Sequence, residues 1–436
     1  CWDLERLFAE VVNGLCACKA AGKLPSTLGI DTWAVDFVLL DGAGKVLGGT
    51  VAYRDGRTAG MDRLVEEKIP AGELYARTGI QKQSFNTVYQ LMAVKREQPE
   101  LLERAQRFLM IPDYLHYRLT GRMENEYTNA TSTGLVNAGE KTWDRDLLER
   151  LGYPARLFGE LRMPGQSLGG LLPQVREKAG FDCTVLLPAT HDTGSAFLAV
   201  PARDERSLTL SSGTWSLLGV ENPAPITTEE SRQHNFTNEG GYRYRFRYLK
   251  NIMGLWMIQS VRRELSRGDR KVSFGELEAA ARQCPDFPSR VDVNDESFLA
   301  PENMEKAVKS YCARTGQRVP GTPGELMTCI YQSLAQSYAE TVRELEQLTG
   351  GKYTALHIVG GGSKDGYLNQ LTARATGLPV YAGPAEGTAL GNLMVQMIET
   401  GAFADLEAAR EAERKSFSIK EYRPDGKDGA CNERTV

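Results

Sequence analysis

Apolar residues recur at helical spacing from the first turn of the chain, with Leu4, Leu7, Phe8, Val11, Val12 and Leu15 on one side of a predicted helix. A strand, Leu28–Trp33, is expected next. It is followed by a hairpin from Val35–Asp41 through the turn glycines Gly42 and Gly44 to Lys45–Leu47. A helical, loop-rich stretch fills about residues 58 to 165.

The pattern then restarts. Three short strands are expected around Ser207–Ser211, Trp215–Val220 and Tyr242–Leu249, then a helix over Gly254–Val261 and a long polar insertion. The next large helix opens at Thr322-Pro323-Gly-Glu325, where Thr caps, Pro takes the first turn and Glu can close a capping box. Leu326, Ile330, Leu334, Val342 and Leu345 form its apolar face, and Gly350-Gly351 end it. A strand Ala355–Val359, the turn Gly360–Gly362, a helix starting near Ser363 and running through Leu368 and Leu371, a strand Pro379–Tyr381 and a helix Ala389–Thr400 complete the order. Antiparallel strands followed by alternating helix and strand imply an α/β fold with mixed sheets covered on both faces. Two such units flanking a cleft suit an ATPase-like hinge enzyme. The tail from about Ser416 is polar and expected to be loosely held.

Composition narrows the function. A chain of 436 residues with 41% hydrophobic and 25% charged positions buries large cores and is expected to form two domains. Net charge is −4 with no block of Lys and Arg, which disfavours a nucleic-acid partner. No apolar run is long enough to span a bilayer and no signal-peptide pattern appears, so no membrane role and a cytoplasmic location are expected. The eight cysteines are thinly spread, and inert thiols are the expectation; Cys312 and Cys329 could pair, but a reducing compartment opposes it.

The chemistry concentrates near mid-chain. Leu187–Thr190, His191-Asp192-Thr193 and the strand-turn-strand around Gly213-Thr214 put a carboxylate and a phosphate-type turn in neighbouring segments. A transfer of phosphoryl to an alcohol needs both, a base for the hydroxyl proton and backbone N–H groups for the nucleotide. No Walker A sequence is present, which disfavours a P-loop kinase. A His-Asp metal phosphohydrolase would need further ligands, and His116, His234 and His357 are scattered without metal spacing, so no metal-ligating set is expected. A paired-carboxylate glycosidase could use Asp31 and Asp36, but a regular strand would turn them to opposite faces.

An ordered set of motifs carries a resemblance. Gly29-Ile-Asp31-Thr-Trp33-Ala-Val-Asp36, Tyr53-Arg54-Asp55-Gly-Arg57, Pro112-Asp113, Glu126-Tyr-Thr-Asn129, Thr237-Asn-Glu239-Gly-Gly, Lys250-Asn251-Ile-Met-Gly and Gly383-Pro-Ala-Glu386-Gly-Thr388-Ala-Leu-Gly391-Asn392 resemble the FGGY carbohydrate kinases, and among them the kinases of L-rhamnulose. The resemblance implies two ribonuclease H-like, actin-like ATPase domains. Residues 1–198 would bind the sugar and carry the base, and residues 199–436 would bind the nucleotide. It further implies ATP and Mg²⁺, a small ketose phosphorylated at O1, and a monomer or homodimer. By the same resemblance Asp192 is the general base, Ala34, His191, Thr193 and Asn251 are substrate-side positions, and Thr214, Gln259 and Gly361 are nucleotide-side positions. Ala34 departs from the family pattern, which has Gly there, so one methyl group changes the fit of the sugar.

Simpler roles compete with some of these. Asp192 could cap a helix, Asn251 could be a turn residue, and a lone Gly-Gly-Gly is common in loops. The chain lacks an initiator Met, and the family's opening strand, with its Asp and Gly/Ser turn ending in Arg, does not precede Cys1. The expectation is therefore an N-terminally truncated member. A kinase of L-fuculose or xylulose and an inactive sugar-binding or actin-like protein remain the alternatives.

Overall fold

The computed structural model describes residues 1–202, 204–266 and 271–426. They form two compact units. The first contains residues 1–199, 221–248 and 388–409, and the second contains 200–220, 249–387 and 410 onward. Among the described residues, no helix is long and apolar enough to cross a membrane.

The first unit opens with the expected helix, Leu4–Ala20, capped by the Asp3 carboxylate on the Arg6 N–H at 3.0 Å. Its Val12 and Leu15 pack with Leu119, Val175, Val185 and Leu187, and Leu4 packs with Val38, Leu40 and Leu109. The expected hairpin is present as Phe37–Leu40 and Val46–Leu47. Its other edge pairs antiparallel with Arg107–Met110, a strand not foreseen in the helical stretch. That four-residue run is buried from Phe108 to Met110, so no alternation betrays it. Below it Phe108 stacks on Phe37 and Phe158 at 5.1 Å each and meets Trp143 edge-on.

The expected strand Leu28–Trp33 is mostly absent. Only Thr27–Leu28 pairs, parallel to Thr184–Leu186, and the ladder returns as one bridge between Thr32 and His191. The backbone between them is committed elsewhere: the Ile30 N–H donates to His116 Nε2 at 3.1 Å, and the Gly29 carbonyl accepts from Asn392. Burial pushes the His116 imidazole down to about 3, so this ring is a neutral structural acceptor.

Five neighbouring strands of a seven-stranded sheet run in the order Trp215–Asn222, Ser207–Ser212, Ala355–Val359, Val380–Ala382, Lys420–Tyr422. The first and last pairings are antiparallel and the two central ones parallel, the mixed sheet the pattern implied. The large helix, Pro323–Thr349, begins at Thr322, whose hydroxyl caps the Glu325 N–H at 3.2 Å. The capping box is only half formed, because the Glu325 carboxylate accepts from the Gly321 N–H and pairs with Arg318 instead. Gly350 ends the helix at φ 68.

Three further expectations need correction. The third strand is Phe246–Met253, four residues later than expected, because Arg243 and Tyr244 adopt left-handed φ values of 53 and 59 and make a turn. The helix expected near Ser363 begins at Gly366, after a 3₁₀ turn over Gly361–Lys364, and Asp365 caps it. After the helix Leu406–Ser416, the described part of the tail forms the edge strand Lys420–Tyr422, which buries Tyr422, and residues 427–436 lie outside the described residues. Cys312 and Cys329 are free buried thiols, and burial pushes Cys329 up to about 12. Cys431 lies outside the described residues.

Candidate active site

In the first unit, Thr32 and the segment Thr190–Asp192 hold each other. The Thr32 N–H donates to Thr190 O at 3.0 Å, and the Asp192 N–H donates to Thr32 O at 2.9 Å. Asp192 is the first residue of the short helix Asp192–Leu198, and His191 occupies the cap position, so Asp192 is not a helix cap. Its Oδ1 accepts from the Thr193 N–H at 2.6 Å and from the Thr193 hydroxyl at 3.2 Å. The side chain is 47% exposed, so the carboxylate is oriented by one neighbour yet open to a ligand. His191 is buried, with Nε2 at 3.4 Å from Asp192 Oδ1.

The segment is anchored from below by Glu126, which is wholly buried. Its carboxylate accepts from the Thr190 N–H and hydroxyl at 3.1 and 2.6 Å, and from Thr128 and Asn129 at the start of the next helical turn. Burial raises the Glu126 pKa, against those donors. Asp31, weighed from sequence as a strand residue and as one of a possible glycosidase pair with Asp36, lies close enough to Asp192 to feel its charge. Burial pushes its carboxyl up to about 6; a hydrogen bond from Asn392 at 2.5 Å opposes this, and Asp192 adds to it. Asn392 reaches Asp31 from the helix Gly387–Glu399. That helix sits against Asp192–Leu198 at Gly391, where any Cβ would lie 1.8 Å from Ser195 O. The close approach is possible only for glycine.

Ala34 is in the loop between Thr32 and Phe37. Val35 follows it at φ 66, a strained value for a β-branched residue. The loop is over-determined: Val35 O accepts from Thr87 Oγ1 and Gln90 Nε2, and the buried Asp36 accepts from the indoles of Trp2 and Trp33 at 2.7 and 2.9 Å. Burial raises the Asp36 pKa against these donors, and its role is structural rather than paired with Asp31.

Two buried residues missed by sequence reasoning complete this unit's site. Glu239 Oε2 lies 3.3 Å from His191 Nδ1 and 3.0 Å from Arg247 NH1. Arg247 also bonds Gly240 O through both Nε and NH2. The alternation of aromatic and Arg positions from Tyr242 to Tyr248 predicts a solvent face for Arg247, so the sequence carries no direct signal for its burial.

The second unit gathers Thr214, Gln259 and Gly361, the positions expected on the nucleotide side, near one end of its sheet. Thr214 is exposed in the turn between Ser207–Ser212 and Trp215–Asn222. Gly213 O and Thr214 O accept from the N–H groups of Leu255 and Trp256, which seats this turn on the start of the helix Trp256–Leu265 that carries Gln259. Asn251 is inside the strand Phe246–Met253, not in a turn. Gly360 takes φ 87, and a Cβ on Gly362 would meet Ser212 Oγ at 1.9 Å, so the glycine turn packs directly on the Thr214 turn. Gly361 differs. A Cβ there would meet nothing within 4 Å, so nothing in the protein requires glycine at the exposed tip.

Thus Ala34, His191, Asp192 and Thr193 come together in one unit, and Thr214, Gln259 and Gly361 in the other with Asn251. Residues 2–199 match the N-terminal domain of the FGGY family of carbohydrate kinases and residues 208–400 its C-terminal domain. A rhamnulokinase of Halalkalibacterium halodurans is 49% identical over 422 residues, 97% of this chain and 89% of the relative. One of Bacillus subtilis is 43% identical over 427 residues, 97% and 86% of the two chains. A gluconate kinase structure from Lactobacillus acidophilus has a TM-score of 0.78 at 17% identity, covering 97% of this chain and 85% of that one. The Plasmodium falciparum glycerol kinase structure with ADP has a TM-score of 0.75 at 16% identity, covering 96% and 85%. Both domains match in order, and the identity to sugar kinases extends over nearly the whole chain: the chain belongs to the FGGY family of carbohydrate kinases.

Proposed function

We propose that the chain transfers the γ-phosphoryl group of ATP to O1 of L-rhamnulose, giving L-rhamnulose 1-phosphate and ADP. The observation that carries this reading is the half-exposed Asp192 carboxylate, held by Thr193 on a backbone tied to Thr32, in a chain 43–49% identical to two rhamnulokinases. Asp192 takes the O1 proton as O1 bonds to phosphorus and the bond to the ADP oxygen breaks. A positioned base contributes about 10²–10⁴-fold, and positioning and electrostatics supply the rest.

The N-terminal domain, residues 1–198, holds the ketose through Ala34, His191 and Thr193, and Asn251 is a further neutral donor and acceptor suited to a sugar hydroxyl. The C-terminal domain, residues 199–436, holds ATP with the Thr214 turn, Gln259 and the open tip at Gly361. Mg²⁺ arrives on the ATP phosphates as part of the substrate. Among the described residues no group of three or more His, Cys, Asp or Glu could hold a metal ion, and Mg²⁺ bound to phosphates needs only one or two protein carboxylates. Asp31, whose ionisation is opposed by burial and by Asp192, fits that charge. The reaction is cytoplasmic, with the enzyme a monomer or homodimer.

The test is ADP release by the full-length protein with L-rhamnulose, L-fuculose and D-xylulose. The reading expects the highest kcat/KM for L-rhamnulose. A clear preference for another ketose, or ADP release independent of sugar, contradicts it.

A further inference from the structure

Behind His191 lies a buried ion pair for which the proposed phosphoryl transfer has no direct use. Arg247 is 0% exposed and Glu239 6%. Burying both charges is costly unless their geometry does something for a neighbour. Their common neighbour is His191, adjacent in sequence to Asp192.

Arg247 and Glu239 compete for the same ring nitrogen. Arg247 NH2 is 3.2 Å from His191 Nδ1 with hydrogen-bond geometry, whereas Glu239 Oε2, at 3.3 Å from that nitrogen, makes no hydrogen bond at all. A guanidinium can only donate. Nδ1 therefore accepts, and the ring hydrogen sits on Nε2, the nitrogen 3.4 Å from Asp192 Oδ1. The Arg247 NH1 contact with Glu239 Oε2, at 3.0 Å, is too oblique for a hydrogen bond and acts through charge. Burial alone would raise the Glu239 pKa, but the Arg247 guanidinium opposite helps hold it below the usual carboxylate range, so Glu239 stays ionised and neutralises Arg247. The two Arg247 bonds to Gly240 O fix the guanidinium against the strand Thr237–Gly240.

We propose that Glu239 and Arg247 are positioning residues: the Glu239–Arg247 pair locks His191 in the Nε2–H tautomer, so that its donor is aimed at Asp192 and at the sugar oxygen Asp192 serves. The inference rests on the reading of Asp192 as the base. With the opposite tautomer, His191 would turn a lone pair toward the Asp192 carboxylate, which repels the base and offers the sugar proton a competing acceptor. Lysine in place of Arg247 cannot reach Gly240 O and His191 with a rigid fork, and Gln in place of Glu239 leaves Arg247 uncompensated.

Two measurements on the full-length enzyme decide it. The first is the tautomer of His191 by ¹⁵N NMR of the ring nitrogens, tractable because the sequence holds four histidines. An Nε2–H ring is expected; an Nδ1–H or doubly protonated ring at neutral pH overturns the proposal. The second is a double-mutant cycle with His191→Gln. Glu239→Gln and Arg247→Lys should each lower kcat/KM for the ketose by about 10–100-fold, the range for groups that orient a functional His, while KM for ATP stays put. In the His191→Gln background each should add less than about threefold. Equal losses in both backgrounds, or a parallel loss of ATP affinity, would show a merely structural pair. If Arg247→Lys does not fold, the volume-conserving Glu239→Gln cycle decides alone. Turnover retained by Asp192→Asn would remove the base but leave both readouts on His191 intact, so the two failures are distinguishable.

Discussion

At the scale of single residues, burial disfavours the ionised form of two carboxylates around the site, Asp31 and Glu126. Asp31 titrates near 6 in the folded protein, mainly because it is buried, whereas in an unfolded chain an Asp titrates near 3.9. Between those values the folded state holds the extra proton, so Asp31 costs little stability at pH 4, progressively more as pH rises to about 6, and a constant amount well above it. Asp31→Asn is therefore expected to be about 1–3 kcal/mol more stable than the parent at pH 8 and nearly equal to it at pH 4. Urea unfolding at the two pH values checks this, and a gap independent of pH would refute it. Sequence made Asp192 and His191 legible, because a His-Asp pair beside a glycine-rich turn has few bland explanations. Glu239 and Arg247 were not singled out, since each buried charge becomes tolerable only through the other and the two are brought together by the turn at Arg243 and Tyr244.

At the scale of elements, the glycine turn Gly360–Gly362 separates what packing needs from what a ligand needs. Gly362 lies against Ser212, while Gly361 faces open space. Gly362→Ala should destabilise the second unit by about 1–3 kcal/mol through overpacking. Gly361→Ala should leave thermal stability within about 0.5 kcal/mol of the parent and weaken ATP binding. Calorimetry and nucleotide titration on both variants check the pair; unchanged ATP affinity in Gly361→Ala would mean the tip is only a loop. The element pattern was legible wherever apolar periodicity ran long, as in Leu4–Ala20 and Pro323–Thr349. It failed at Arg107–Met110, a strand too short and too buried to alternate, and at Gly29–Trp33, where His116 and Asn392 take the backbone bonds a strand would have used.

At the scale of the whole molecule, the order of motifs was legible and the membership of segments was not. The helix Gly387–Glu399 follows the second sheet in sequence, yet from Thr388 it belongs to the first compact unit, where Asn392 meets Asp31 and Thr388 donates to Asp192 O at 3.3 Å. Sequence proximity does not report such returns of the chain. The division of ligands predicts that the ketose alone slows hydrogen exchange in residues 31–36 and 190–193, and that ATP alone slows it in 212–214, 255–260 and 360–364. The same pattern from either ligand would contradict the assignment. The central claim, that Asp192 removes the proton from the sugar hydroxyl, is tested most directly by the turnover of Asp192→Asn with saturating ATP, Mg²⁺ and L-rhamnulose in the full-length protein. The account predicts a fall of at least about 10²-fold in kcat with both substrates still bound near their original affinities; undiminished turnover would place the base elsewhere.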